Sequence, residues 1–140
     1  MTPSLAGMII GHMVGDYLLQ NDWMAANKTR SSFVCAIHAL LWTLAVCFFS
    51  ATYPWMDRSV SPDWCTYVAI AWLFGTHFLM DRFRLAAKVM DFTGQKSFKA
   101  NLGPWAVIVV DNTWHLVTIW LAYVANEHAI LWTIMSRHSQ

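Results

Sequence analysis

Four apolar runs, residues 3–20, 33–53, 63–80 and 104–125, take up more than half of this 140-residue chain and leave it few ways to fold. Each is close to the roughly 20 residues that a helix needs to cross a hydrocarbon core about 30 Å thick. The expected fold is therefore all-α, an integral membrane bundle of four transmembrane helices making one domain over residues 1–140. Composition agrees, because 57% of the residues are hydrophobic and 12% charged, about half the charge that a soluble domain carries. A disordered chain, a soluble enzyme and a nucleic-acid-binding domain are excluded on that count, and the net charge of +1 provides no field to attract nucleic acid. The expected partner is the lipid bilayer, and the apolar exterior also permits homo-oligomers.

Helix limits follow from local chemistry. Pro3 and Pro104 suit first helical turns, and Tyr53-Pro54-Trp55 ends the second run. The first run has no basic segment before it and carries His12 and Asp16, so it is expected to remain as a span rather than serve as a signal peptide. Residues 82–99 are too charged to cross, but their apolar positions alternate with Arg84, Lys88 and Asp91, which suggests a surface-lying segment between the third and fourth spans. A bend near Asn126 is expected, since a helix continuing to Met135 would outrun the bilayer. Lys28, Arg30, Arg82, Arg84, Lys88, Lys96 and Lys99 all fall on one side of this layout, against Arg58 and Arg137 on the other. Basic residues stay preferentially cytoplasmic, so both termini should lie outside an inner (cytoplasmic) membrane. Cys35, Cys47 and Cys65 read as packing thiols; the first two would be about 18 Å apart on one helix, too far to bond.

Ionisable side chains inside spans are expensive, at about 2.5 to 3.5 kcal/mol each, and need a partner or a purpose. This chain has His12 and Asp16 in its first run, His38 in the second, His77 and Asp81 in the third, and Asp111 and His115 in the fourth. Three pairs are spaced by four residues, so each shares a helix face. The fourth span reverses the order of Asp and His, as a helix running the other way must if its Asp is to sit at the same level. Counted from the cytoplasmic helix ends, the seven groups lie roughly 2 to 17 Å deep. Gly7, Gly11 and Gly15 repeat every four residues beside His12 and Asp16 and would let another helix approach closely.

Imidazoles and carboxylates on facing helices are a ligand set for a divalent metal, zinc first, with manganese or iron as alternatives. Such an ion lowers the pKa of bound water to about 7 and can drive attack on an ester, amide or phosphoester. His12, Asp16, His38, His77, Asp81, Asp111 and His115 are the candidate ligands, and Asp16 and Asp81 the candidate catalytic carboxylates. Arg82 and Arg84 could hold a phosphate or lipid headgroup. The expected function is a metal-dependent hydrolase acting on a lipid or lipid-linked substrate from the cytoplasmic leaflet. Two alternatives use the same residues: a non-enzymatic phage or bacterial membrane protein whose His/Asp layer fixes helix packing, and a proton or ion relay. Gln20, Asn21, Asp22, Trp23 and Lys28 follow the first span, where Asp22 could cap a short helix or the group could line an entrance to the polar layer.

The motifs G-H-M-V-G-D-Y-L-L-Q-N-D-W-M-A-A-N-K (Gly11 to Lys28), I-H-A-L-L around His38, T-H-F-L-M-D (Thr76 to Asp81) and D-N-T-W-H-L (Asp111 to Leu116) together resemble a bacterial and phage membrane family, the domain of unknown function DUF3307. The family often has Gln where this chain has Asn112. The resemblance implies a small integral membrane protein and no particular reaction. The layout is also similar to that of membrane-embedded hydrolases of the ceramidase type, in which His and Asp from several spans hold zinc; this is a likeness of sites alone.

Overall fold

The computed structural model describes residues 4–50 and 64–138, and every regular element among them is helical. Helix α1 (Leu5–Met13) begins at Ser4, whose hydroxyl accepts from the Gly7 N–H at 3.2 Å. It runs directly into a π-helical turn over Val14–Leu18, closed by the Leu19 N–H to the Val14 carbonyl. A short helix α2 (Asp22–Asn27) follows. Its cap is Asn21, which accepts from the Met24 N–H at 2.9 Å, so Asp22 is the first helical residue rather than the cap.

Helices α3 (Ser32–Ser50), α4 (Trp64–Phe83) and α7 (Pro104–His138) are the long elements. Between the last two, α5 (Leu85–Phe92) and α6 (Lys96–Leu102) are set off by three residues with positive φ: Arg84 at 52°, Gly94 at 73° and Gly103 at 56°. Helix α1 packs on α3, α3 on α4, α4 on α7, and α7 back on α1, which closes a ring of four helices. A Cβ on Gly11 would lie 2.6 Å from the Ala45 carbonyl oxygen and from Val46 Cα, so the glycine stripe is what lets α1 and α3 approach this closely. The apolar part of the core is Met8, Trp42, Val46, Leu73, Ile119 and Ala122.

Polarity is inverted relative to a water-soluble bundle. His12, His77 and His115 are fully buried and His38 is 1% exposed, whereas Ile10, Leu18, Leu44, Phe48 and Trp120 are each more than half exposed. Among the described residues, two helical stretches, Ser32–Ser50 and Pro104–Ala129, are long and apolar enough to cross a membrane. The run expected at residues 3–20 forms a shorter apolar helix, Leu5–Leu18, about 21 Å long at 1.5 Å per residue. Helix α4 covers the third expected span but carries His77, Asp81 and Arg82 in its last two turns.

One expectation is corrected. The helix does not break at Asn126: α7 is continuous over its 35 residues from Pro104 to His138, because nothing in Asn126-Glu127-His128 removes a backbone donor or demands positive φ. In the segment expected to lie on the surface, Arg82 and Phe83 end α4, and α5 and α6 follow, both packed against α7, with Ala86 and Met90 buried. Arg58, half of the outer basic count, lies outside the described residues.

Candidate metal centre

Each long helix brings polar groups to the same level. On α1, His12 presents its ring to the bundle axis, and the π turn that follows presents Asp16. A π turn widens the helix by one residue and re-aims the side chains within it, and such turns recur at functional sites. The Asp16 Oδ2 lies 3.2 Å from the His12 Nδ1. Helix α3 supplies His38 and, one turn on, Trp42, whose ring is held against Gly15. The Trp42 indole N–H donates to the His12 Nδ1 at 3.0 Å, and its ring stacks on that of His77 with centroids 4.1 Å apart. Helix α4 supplies His77 and Asp81, and α7 supplies His115, whose ring lies 4.2 Å from that of His77.

The lone-pair atoms converge closely. The His38 Nε2 and His77 Nε2 are 3.0 Å apart. The Asp16 Oδ1 lies 3.4 Å from the first and 3.5 Å from the second. The Asp81 Oδ2 lies 3.0 Å from the His38 Nε2 and 3.3 Å from the His77 Nε2. Three ligand atoms around a tetrahedral zinc, at metal distances of 2.0–2.2 Å, are separated from one another by about 3.3 to 3.5 Å. Two edges of the triangle of Asp16 Oδ1, His38 Nε2 and His77 Nε2, at 3.4 and 3.5 Å, have those dimensions, and the third, between the two nitrogens, is shorter at 3.0 Å. A second triad, His77, Asp81 and His115, also keeps its donor atoms within 4.8 Å of one another.

Proton counting separates this arrangement from an ordinary hydrogen-bond network. Five contacts of 3.0–3.5 Å join two imidazole nitrogens and two carboxylate oxygens. With both carboxylates ionised, the only protons available to these contacts are one on each nitrogen, so no more than two of the five can be full hydrogen bonds. The His12 Nδ1 helps little, because an atom that accepts from Trp42 cannot also donate to Asp16. The Asp16 Oδ1 and the His115 Nε2 are buried and form no hydrogen bond among the described residues. Buried acceptors facing one another call for a cation.

One cation is built in. The Lys28 ammonium, at the C-terminal end of α2, donates to the Asp81 Oδ2 at 2.9 Å and lies 3.4 Å from the His38 Nε2. Its side chain is 17% exposed and that of Asp81 3%. Arg82, the neighbour of Asp81, turns away: its guanidinium donates to the Ser32 hydroxyl at 3.0 Å and to the Thr29 carbonyl, tying α4 to the loop before α3. The Arg84 side chain is exposed at the α4–α5 junction.

Of the seven candidate ligands, the fold gathers Asp16, His38, His77, Asp81 and His115 into the two triads. His12 stands beside them as a partner of Asp16 and Trp42. Asp111 is at the edge, a quarter exposed, with its Oδ2 3.4 Å from the His115 Nε2 of its own helix. Sequence reasoning missed Trp42 and placed Lys28 only at the rim. The four-residue step from His38 to Trp42, on one helix face, was the available signal for the first. For Lys28 there was only its position in the first family-like motif.

The model of a family described as proteins of unknown function, DUF3307, matches residues 5–139, nearly the whole chain. No curated protein and no solved structure matches it.

Proposed function

The chain belongs to the DUF3307 family, and from that premise we propose a membrane-embedded, metal-binding protein that hydrolyses a lipid or lipid-linked ester, amide or phosphoester. In this reading α1, α3, α4 and α7 are four spans, both termini are outside, and the polar layer lies in the cytoplasmic leaflet of the inner membrane. The inverted polarity of the bundle supports the membrane setting: exposed Ile10, Leu44, Phe48 and Trp120 suit acyl chains, while the imidazoles point inward.

The observation that carries the reading is the triangle of Asp16 Oδ1, His38 Nε2 and His77 Nε2, with edges of 3.4, 3.5 and 3.0 Å. It fits one divalent ion, zinc by its nitrogen and oxygen donors, with manganese or iron as alternatives. When bound, the ion supplies Lewis acidity that activates water and polarises the substrate. Asp16 and the two histidines would hold it. Asp81, within 3.3 Å of both ligand nitrogens but bonded to Lys28, is placed to accept the proton of the attacking water. Trp42 fixes the His77 ring by stacking and excludes water from that side. Arg84, exposed beside this end of α4, is the residue better placed to meet a headgroup phosphate, because Arg82 is engaged with Ser32 and Thr29.

A scaffold without metal is the second reading, favoured by the Trp42–His12 hydrogen bond and the Lys28–Asp81 ion pair, which pin helices together on their own. Metal analysis of detergent-purified protein separates the two. Stoichiometric zinc, manganese or iron that is lost in His77→Ala supports the metal site. Folded protein that takes up no divalent ion supports the scaffold.

A further inference from the structure

The proposed ion leaves one strong donor of the cluster unexplained. The Asp81 Oδ2 lies 3.0 and 3.3 Å from the same two imidazole nitrogens that define the triangle, so it is within ligand range of an ion bound there. A carboxylate in that position would close a four-coordinate shell. Closed shells of four protein ligands are typical of structural zinc, whereas catalytic zinc keeps three protein ligands and one open position. Yet Asp81 already has a cation, the Lys28 ammonium at 2.9 Å, brought over the cluster by the short helix α2.

Resting on the metal-site reading above, we infer that Lys28 is a positioning residue whose hydrogen bond engages the Asp81 Oδ2, so that this oxygen, although within range, does not ligate the ion and the metal site stays open. The ammonium stands where a second ion's charge would otherwise be needed. Three carboxylates in and beside the cluster, Asp16, Asp81 and Asp111, set against the single positive charge of Lys28, leave a charge of minus two, which one divalent ion offsets. Arg82 does not share this role, since its guanidinium is bonded to Ser32 and Thr29 on the outer side of α4. Lys28 is brought to Asp81 by α2, whose cap Asn21 follows the last residue of the π turn, Leu18, by three positions.

The test is a double-mutant cycle on the affinity of the full-length protein for zinc, with the ion supplied from a metal buffer to detergent-solubilised chain. Lys28→Met keeps the aliphatic bulk and removes the charge. It is expected to bind zinc at least tenfold more tightly, as Asp81 closes the shell. Asp81→Asn alone is expected to bind zinc within about threefold of the parent, because Asp81 is not a ligand there. Lys28→Met in the Asp81→Asn background is expected to gain no more than about twofold.

Each other outcome is decisive. A Lys28→Met gain that persists in the Asp81→Asn background means that Lys28 acts only as a nearby charge, and overturns the inference. So does a Lys28→Met affinity equal to or weaker than the parent's. Loss of zinc in Asp81→Asn alone makes Asp81 a ligand of the parent site and overturns it as well, a result that needs no folded Lys28→Met protein. If the parent chain takes up no zinc, manganese or iron, the metal reading fails, and the inference fails with it for that separate reason.

Discussion

A single methyl group on Gly15 should disturb the centre without touching a ligand. A Cβ there would lie 2.7 Å from Trp42 Cδ1 and 2.9 Å from Trp42 Cα. The second contact is with backbone, so rotating the indole does not relieve it; α1 and α3 must separate by several tenths of an ångström. Overpacking of this kind costs about 1 to 3 kcal/mol. The shift also strains the indole hydrogen bond to the His12 Nδ1, a bond of the sort worth about 0.5 to 1.5 kcal/mol. Against this, Gly→Ala in a helix returns about 0.5 to 1 kcal/mol. The net expectation for Gly15→Ala is a loss of about 1 to 3 kcal/mol and weaker zinc binding, since Trp42 also stacks on His77. Gly75→Ala is the control, because a Cβ at Gly75 has nothing within 4 Å. It should be neutral or slightly stabilising. The assay is thermal unfolding of the two variants in one detergent, with zinc titrated into each. If Gly15→Ala is as stable as Gly75→Ala and binds zinc as the parent does, the close packing of α1 on α3 through Trp42 is refuted.

Three further outcomes are expected. Trp42→Phe keeps a ring over His77 but removes the donor to His12, and should lower stability by about 0.5 to 1.5 kcal/mol in chemical unfolding while leaving zinc bound. Arg82→Ala releases the loop before α3 from two hydrogen bonds and should cost about 1 to 3 kcal/mol, with unchanged zinc stoichiometry by elemental analysis. Asp111→Asn, at the edge of the cluster, should retain the ion, whereas His77→Ala, at the junction of both triads, should lose it.

Much of the candidate site was legible because helical periodicity and membrane cost act on the same residues. The four-residue steps from His12 to Asp16, His77 to Asp81 and Asp111 to His115 fix a shared face whatever the neighbouring helices do, and all three pairs are in contact. The glycine stripe was legible for the same reason, since close approach needs small residues on one face. What the residues could not reveal depends on tertiary placement. The π turn at Val14–Leu18 has no composition that distinguishes it from α-helix. Lys28 is 53 residues from Asp81 in sequence and meets it only through the course of α2. The expected bend at Asn126 came from matching helix length to bilayer thickness, and that match places no break in the backbone of α7. Arg82 looked available for a headgroup because its partners, Ser32 at the start of α3 and the Thr29 carbonyl in the loop before it, are 50 and 53 residues away in sequence.

X-ray absorption at the zinc edge of the zinc-loaded, full-length protein tests the centre most directly. Two imidazole nitrogens and carboxylate oxygen at about 2.0 to 2.2 Å are expected, with the imidazole signature absent from His77→Ala. A spectrum with sulfur at about 2.3 Å, with no imidazole in the shell, or with oxygen of solvent alone would contradict a site built from Asp16, His38 and His77.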